Sequence, residues 1–348
     1  MEIVDVGIDA TESEPDSEPI EDALQALPGT GSVTVRIETD TGITGTGEVG
    51  FGRIEGGPAT LGRLVERELA PVVRGRDPAL VRGIREDLYA EVEYHGSKGL
   101  AAFGIAAIDT ALWDCLGKAR EVPCWQLWGG VGERIPAYAM VGWSNYGGDR
   151  LRDVCARAAE QGFAGVKIKV GSASLERDRA RIETARDAIG ADMDLMVDAN
   201  QSLTTKEAIR REQAFAALDV RWFEEPIPAD DLDGYARLAE RSTVPIAAGE
   251  NCYAASDVAR FLRRDAIDVV QPDRRRIGGP TGLVEVAALA DAFDRPYASH
   301  GGDPAHLNVL ASAPTVEYLE TGLLTDDSPI DLEEGCVAVP QGAGFEWT

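Results

Sequence analysis

The sequence predicts an α/β fold whose larger part is a closed barrel of parallel strands. Asp198, Glu224 and Glu250 follow one another at intervals of 26 residues, and each closes a short apolar run. A strand of about 5–6 residues, a helix of about 11–12 and two loops fill such an interval. Strands connected in this way lie parallel and side by side, so the three carboxylates are expected at one edge of the sheet.

Strand-like segments alternate with helical patterns beyond Arg134. The eight candidate strands are IPAYAMVGW, GVKIKV, DLMVDA, VRWFEEP, VPIAAGE, IDVVQPD, RPYASH and VEYLE. Eight such strands are typical of a closed parallel barrel in a (β/α)7β arrangement. An open, doubly wound sheet is the structural alternative, and it would leave its edge strands less uniformly apolar.

The first 130 residues have a different pattern. Residues 31–49 alternate polar and apolar side chains on both sides of Asp40-Thr41-Gly42, which indicates a β-hairpin. Helical patterns follow at 58–70, 77–92 and 98–121. The sequence therefore predicts three parts: an α+β capping domain over 1–130, the barrel over 131–320, and a C-terminal segment over 321–348 that packs back on the cap.

The charge of the chain is strongly negative. It has 60 acidic and 34 basic residues, for a net charge of −26, so nucleic acid and anionic membrane surfaces are not expected partners. Lysines are few, and an acidic, lysine-poor surface is typical of a protein that stays soluble in concentrated salt. A GC-rich genome would explain the lysine shortage but not the acid excess.

The compartment follows from the same composition. The N-terminal residues MEIVDVGIDATESEPDSEPIED are acidic, whereas a signal or transit peptide is basic or apolar. No stretch is expected to reach the apolar length of a membrane span. The five cysteines are an odd number without a C-x-x-C pair, which favours small buried side chains over disulfides or a zinc site. We expect a cytoplasmic protein.

Two other motifs have competing interpretations. Gly45, Gly47 and Gly50 match the dinucleotide pattern G-x-G-x-x-G, but they lie in the predicted hairpin and not between a strand and a helix. We therefore reject a dinucleotide site. The run Arg274-Arg275-Arg276 would suit an anion, although such runs are more often a solvated face.

The three carboxylates predict a metal site. Hard oxygen ligands that converge at strand ends suit Mg²⁺ or a similar cation. Glu225 is the neighbour of Glu224, and the alternation of side chains along a strand points only one of them toward the barrel axis. The spacing selects Glu224, so Glu225 is expected to be structural.

Lys167 and Lys169 lie on the strand before Asp198. They are two residues apart, so both face the same side of that strand. Two cations on an inward face repel each other and lie close to the predicted metal, which would depress at least one pKa and leave a neutral amine able to act as a base. The alternative is a pair of outward, solvated lysines.

Further proton carriers end the later strands. Asp273 ends the sixth strand and His300 the seventh, so a carboxylate would fix the tautomer of the imidazole and raise its basicity. Glu320 ends the eighth strand. His306 is expected to be a packing or capping residue, and His95 would reach the pocket from the first domain. This layout suits removal of a proton α to a carboxylate, with the metal stabilising the enediolate.

In their order and spacing, the motifs KIK, VDAN, FEEP, GEN, QPD with IGGPTG, SH and YLE resemble the enolase superfamily, and within it the mandelate racemase subgroup. The resemblance spans nearly the whole chain and implies a TIM-type barrel with its cap. It implies that Asp198, Glu224 and Glu250 bind Mg²⁺, with Mn²⁺ as a possible substitute. It further implies acid–base roles for Lys169 and the His300–Asp273 pair, substrate contacts for Lys167 and Asn200, and a hydrogen bond from Glu320 to the enolate oxygen.

The muconate-lactonizing subgroup would place a lysine near the end of the sixth strand. This chain has Asp273 there and no lysine beyond Lys206. We expect a hydroxy-carboxylic acid substrate and dehydration of a sugar acid to a 2-keto-3-deoxy acid. Racemisation or epimerisation of a 2-hydroxy acid is the alternative, and a non-catalytic binding protein is a weaker one. Specificity is expected from cap loops 11–30 and 50–57, and the family resemblance implies a homo-oligomer.

Overall fold

The computed structural model describes residues 1–12, 18–27, 30–52, 56–132 and 134–346. Parts of the two loops predicted to set specificity, at 13–17, 28–29 and 53–55, lie outside the described residues.

The N-terminal part combines an antiparallel sheet with a group of helices. Its strands are β1 (Ile3–Glu12), β2 (Ile20–Glu21), β3 (Ala26–Leu27), β4 (Thr30–Thr39) and β5 (Thr44–Gly52). Its helices are α1 (Gly57–Leu64), α2 (Ala70–Val73), α3 (Val81–Val92), α4 (Leu100–Arg120) and α5 (Cys124–Leu127), with a π-helical turn at Val65–Leu69 and a 3-10 turn at Glu93–His95. Strands β1, β4 and β5 form one sheet in that order, and β2 pairs with β3. The predicted hairpin is confirmed, with Glu38 opposite Thr44.

Helix α4 is the central helix of this part. Its side chains join the apolar core formed by the cap sheet and the helices α1 to α3. Among the described residues, α4 is the one helix that is both long enough and apolar enough to cross a membrane, judged by length and composition alone. The expectation that no stretch reaches this length was therefore wrong. The helix is mostly buried inside the molecule, and this packing accounts for its apolar sequence.

The glycines of the rejected dinucleotide motif have a packing role. Gly45 and Gly47 lie on β5, where a Cβ would overlap the carbonyl oxygens of Ala111 and Ala107 on α4. The two glycines let the helix backbone approach the strand closely. The motif thus reflects the contact between a strand and a helix that crosses it.

Replacing Gly47 by alanine is expected to destabilise the protein. The added methyl would force β5 and α4 apart, and overpacking of this kind costs about 1–3 kcal/mol. Gly50→Ala is the matched control on the same strand, because no described atom lies within 4 Å of its Cβ position. The urea midpoint should fall for Gly47→Ala and stay near the wild-type value for Gly50→Ala. Equal midpoints for the two variants would contradict the close approach.

The second part is the parallel barrel. Its strands are β6 (Arg134–Gly142), β7 (Gly165–Lys169), β8 (Asp194–Asp198), β9 (Phe223–Glu224), β10 (Ile246–Ala248), β11 (Val269–Val270) and β12 (Leu319–Thr321). Its helices are α6 (Gly148–Glu160), α7 (Leu175–Ile189), α8 (Thr205–Phe215), α9 (Leu232–Ala239), α10 (Ala255–Leu262), α11 (Pro280–Ala292) and α12 (Pro304–Leu310), with a 3-10 turn at Ala216–Leu218. Strands β6 to β11 are neighbours in chain order.

Pairing between the last strand and the first closes the barrel. Strand β12 pairs in parallel with β6, and Leu319 lies opposite Ala137. The expected seventh strand is a set of single bridges, in which Tyr297 contacts Val270 on one side and Val316 on the other. The closed barrel is confirmed and the open sheet is excluded. The strands are shorter than the apolar runs because several of those runs continue into the loops at the strand ends.

The C-terminal segment contacts both parts of the molecule. It contains the strands β13 (Leu332–Glu333) and β14 (Cys336–Ala338), and β14 pairs antiparallel with β6 of the barrel. Farther along, Phe345 N donates to Asp114 Oδ1 of α4. The tail therefore completes the cap as expected, after first adding a hairpin beside the barrel.

Candidate active site

The ends of three neighbouring strands carry the predicted metal ligands. Asp198 and Glu224 are the last residues of β8 and β9 and lie opposite each other, and Glu250 follows β10 by two residues. Each side chain is buried. Burial raises the pKa of Glu224 to about 7 although Lys167 lowers it, and Asp198, Glu320 and Glu250 raise it further. The carboxylates are therefore close enough to repel one another.

Each of these carboxylates has a basic neighbour. Lys169 Nζ donates to Asp198 Oδ2 at 2.5 Å, and Lys167 Nζ donates to the two oxygens of Glu224 at 2.7 and 2.9 Å. His300 Nε2 lies 2.8 Å from Glu250 Oε2, an ion-pair distance when the imidazole is protonated. The basic side chains thus balance most of the negative charge at the strand ends.

The donor set fits a divalent cation in its chemistry. Three buried oxygens in this region have no hydrogen-bond partner, namely Glu250 Oε2, Glu225 Oε1 and Asn200 Oδ1. Oxygen atoms of carboxylates and amides are the ligands that Mg²⁺ prefers. In the described part of the chain, we find no group of three acidic, histidine or cysteine side chains that is already arranged as a ligand cluster. A bound cation therefore has to compete with the amines for the carboxylates.

Glu225 also lies among these carboxylates, which the alternation rule did not predict. It is buried, and Asn251 Nδ2 donates to its Oε2 at 2.5 Å. Burial, then the charges of Glu250, Asp198 and Glu224, raise its pKa well above the usual range. The prediction that only one of the two glutamates faces the site was wrong, because β9 ends at Glu224 and the next residue has a φ of 35°.

The two lysines face inward, as predicted, and the carboxylates around them raise the pKa of each. Burial lowers the pKa of Lys169, and so does Lys167, yet the charge of Asp198 raises it and the net shift is upward. Lys167 is also raised well above its usual pKa, since Glu224 and Glu320 outweigh its burial. The expected depression refers to lysines beside a bound metal ion and stays a prediction. Both amines are charged in this arrangement.

His300 and Asp273 form the expected pair. His300 Nδ1 lies 2.8 Å from Asp273 Oδ2, and a backbone bridge joins the two residues. Burial would lower the pKa of His300, but Glu250 and Asp273 raise it to about 10. The imidazole is therefore protonated here and suited to donate a proton.

Glu320 and Asn200 lie at the same end of the barrel. Tyr138 donates to Glu320 Oε2 at 2.6 Å, and Lys167 pairs with the same oxygen. Burial would raise the pKa of Glu320, but Lys167 and His300 lower it to about 2. Glu320 thus accepts hydrogen bonds here, whereas the resemblance implied that it donates one. Asn200 N donates to Asp198 Oδ1 at 2.8 Å, and its own Oδ1 has no partner.

The arginine run is not a solvated face. Arg274 is buried and bonds to Glu48 O and Thr110 Oγ1 of the cap. Arg275 faces Asp273, and Arg276 Nη1 donates to Glu250 O at 3.2 Å. The more common interpretation of such a run was wrong, because the loop after β11 turns all three side chains onto the protein.

The two remaining histidines have different positions. His306 is buried in the first turn of α12, where its N donates to Asp303 Oδ1 and its Nε2 accepts from Arg274 N. These contacts match the expected packing and capping role. His95 is exposed, with its ring edge-on to Tyr94. The structure places it outside the buried cluster.

Polar and aromatic side chains that contact the carboxylates and lysines were missed in the sequence. Trp222 Nε1 donates to Glu224 Oε2 at 3.2 Å, and Gln271 Nε2 donates to Tyr138 OH at 2.8 Å. Trp143 places its ring 5.4 Å from Lys169 Nζ. The period-two pattern could have found Trp222, because it lies two residues before Glu224 and faces the same side.

The fold and the ionisable side chains at the strand ends define a barrel enzyme. Residues 6–129 match the family model described as mandelate racemase / muconate lactonizing enzyme, N-terminal domain, and residues 150–346 match the model described as enolase C-terminal domain-like. The chain belongs to this mandelate racemase and muconate lactonizing enzyme family of the enolase superfamily.

Characterised relatives cover most of the chain. A 3,6-anhydro-α-L-galactonate cycloisomerase of Streptomyces coelicolor is 34% identical over 90% of this chain and 87% of the relative. An arabinonate dehydratase of Saccharolobus solfataricus is 32% identical over 91% and 87%. The solved structure of a Streptomyces coelicolor racemase with bound magnesium superposes with a TM-score of 0.93 at 32% identity, covering 99% of this chain and 96% of that one. The relatives are thus lyases and isomerases.

Proposed function

We propose that this protein dehydrates a sugar acid to the 2-keto-3-deoxy acid. One observation carries the proposal: Lys169 and His300 each lie beside one of the three carboxylates at the strand ends. A substrate held at these carboxylates would have an amine at one side and an imidazole at the other. The dehydratase among the relatives supports elimination as the reaction.

In this proposal the chain supplies the proton transfers. Lys169 or His300, in its uncharged form, removes the α-proton, and His300 in its protonated form donates a proton to the departing β-hydroxyl, which leaves as water. The enol that remains becomes the 2-keto-3-deoxy acid. The contact between His300 Nδ1 and Asp273 Oδ2 supports the role of His300 as a proton carrier. Lys167 binds the substrate carboxylate, and Asn200 contacts the substrate, where its unpaired Oδ1 can accept from a hydroxyl group.

We propose that Asp198, Glu224 and Glu250 hold Mg²⁺, with Mn²⁺ as a substitute. A bound divalent cation would supply positive charge that stabilises an enediolate. The magnesium in the related racemase structure supports this assignment.

Isomerisation of a sugar acid is the second candidate. The cycloisomerase among the relatives favours it, and its chemistry can begin with removal of the same α-proton. Racemisation or epimerisation would return a proton to the opposite face of the α-carbon, using the same Lys169 and His300.

A screen of mono- and diacid sugars with Mg²⁺ tests the proposal. We expect at least one acid to lose water and give a 2-keto-3-deoxy product, detected as its semicarbazone and by mass. In deuterated water, deuterium entering the α-position without loss of water would favour racemisation or epimerisation instead. The double variant Lys169→Met/His300→Asn is the control and should give neither result. No conversion of any acid in the library would count against the sugar acid proposal.

We also propose a salt-rich cytoplasm and a homo-oligomeric state for the protein. The net charge of −26 supports the first, since screening by salt weakens the self-repulsion of an acidic chain. Both stay predictions.

A further inference from the structure

The side chain of Arg275 folds back onto Asp273, two residues earlier in the same loop. Its Nε lies 3.1 Å from both carboxylate oxygens, and its Nη2 lies 2.5 Å from Oδ2. A planar guanidinium that faces a carboxylate in this forked way fixes the rotation of the carboxylate as well as its position. A lysine at this position would supply the charge without the fork.

The carboxylate that Arg275 grips is also the partner of His300. Asp273 Oδ2 receives both Arg275 Nη2 and His300 Nδ1, while Oδ1 accepts from the backbone N of Arg275 and of Arg276. Asp273 is completely buried, so these protein groups surround it. The direction of the His300 ring therefore depends on how the carboxylate is turned.

We propose that Arg275 is a positioning residue that clamps Asp273 and thereby aligns the imidazole of His300 with the substrate. The inference rests on the proposed role of His300 in proton transfer. Arg275 acts through Asp273 and from outside the buried cluster, since its side chain is 32% exposed and its guanidinium lies 6.0 Å from the ring of Phe103 on α4.

The two neighbouring arginines contact other residues, so the effect of replacing Arg275 can be distinguished from theirs. Arg274 binds the cap through Glu48 and Thr110, and Arg276 binds the strand end at Glu250. A change confined to the Arg275 side chain leaves both sets of contacts in place. Its consequences should therefore fall on the His300–Asp273 pair.

Kinetics of Arg275→Met and Arg275→Lys are the first test. Loss of a group that orients a functional histidine typically costs about 10–100-fold, and we expect kcat to fall by that factor with KM within about twofold of wild type. Arg275→Lys should recover little of the loss. Guanidinium ion should restore part of the rate to Arg275→Ala and none to His300→Asn. The matched control is Arg295→Met, whose side chain is 27% exposed and pairs with Asp265 and Asp268.

Nuclear magnetic resonance of ¹⁵N-histidine-labelled protein is the second test and needs no substrate. The chain has three histidines, so the Nδ1 proton of His300 can be assigned from its absence in His300→Asn. We expect this proton to exchange faster with water in Arg275→Met than in the wild type and in Arg295→Met. If Arg275→Met does not fold, Arg275→Lys serves in its place.

The two tests separate this inference from the proposed function. An unchanged exchange rate together with a kcat within about twofold of wild type would overturn the positioning role. A wild-type protein that converts no sugar acid would end the proposed function, while the exchange rate would still decide whether Arg275 holds the pair.

Discussion

Replacement of Lys169 by methionine is expected to lower kcat for sugar acid dehydration about 1000-fold, because a positioned acid or base contributes roughly 10²–10⁴-fold to a rate. The side chain is buried beside Asp198 and faces the site, so solvent cannot easily take over its task. Methionine keeps the length of the side chain and removes the proton carrier. The measurement is steady-state kinetics with Mg²⁺, together with the melting temperature to show that the variant is folded.

Lys206→Met is the matched control for this experiment. Lys206 is exposed in the first turn of α8, so its replacement should leave kcat within about twofold of wild type, as is usual for surface positions. A Lys169→Met variant with wild-type kcat would contradict the proposed role. The deuterium content of substrate recovered from heavy water adds a second observable, because it shows whether His300 alone still exchanges the α-proton.

Replacement of Glu224 by glutamine is expected to abolish most of the Mg²⁺ affinity. Changes to groups that merely support a metal ligand cost about 10–100-fold in affinity, so loss of a ligand should cost at least about 100-fold. Wild-type protein should melt at a higher temperature as Mg²⁺ is added, since an ion that binds the folded state stabilises it. Glu224→Gln should show little of that increase and little activity.

Glu240→Gln serves as the control for the metal experiment. Glu240 is exposed just after α9, so its variant should respond to Mg²⁺ as the wild type does. Removal of the metal with a chelator should lower activity in both the wild type and the control. An unchanged Mg²⁺-dependent melting shift in Glu224→Gln would remove this residue from the ligand set, whatever the activity.

The barrel could be predicted because its signal is local and repeated. The intervals between Asp198, Glu224 and Glu250 match the length of one strand and one helix with their loops, and each acid ends an apolar run. The candidate strand RPYASH forms only single bridges around Tyr297, which the sequence pattern did not predict. Hydrogen-bond pairing there depends on how the barrel closes, which is a long-range property.

The positions of the candidate site residues could be predicted from the sequence, and their hydrogen-bond and ion-pair partners less so. Lys167, Lys169, His300 and Asp273 lie where strand periodicity places them, because each belongs to or directly ends a strand segment. Glu225 was misplaced because the alternation of side chains ends with the strand, and the backbone at the next residue has a positive φ. The sequence does not reveal such a local turn.

The influence of the carboxylates on the lysine pKa values could not be predicted from the sequence pattern. A pattern shows that Lys167 and Lys169 share a face, but the shift depends on every charge within a few ångströms. Glu320 approaches Lys167 from the other end of the barrel sequence and pairs with it. Electrostatic balance of this kind follows only from the assembled strand ends.

The hydrogen bonds of Arg274 to the cap restrict which cap domains could be combined with this barrel. Its guanidinium spans Asp303 of the barrel and two cap acceptors, Glu48 O and Thr110 Oγ1, while its backbone adjoins Asp273. A chimaera that grafts a foreign cap onto this barrel would need a carbonyl and a hydroxyl at the same two places. Without them, the buried guanidinium of Arg274 would lose hydrogen bonds. Arg274 directly follows Asp273, the carboxylate that orients His300. Cap swapping for new specificity would then lower turnover even where the new substrate fits.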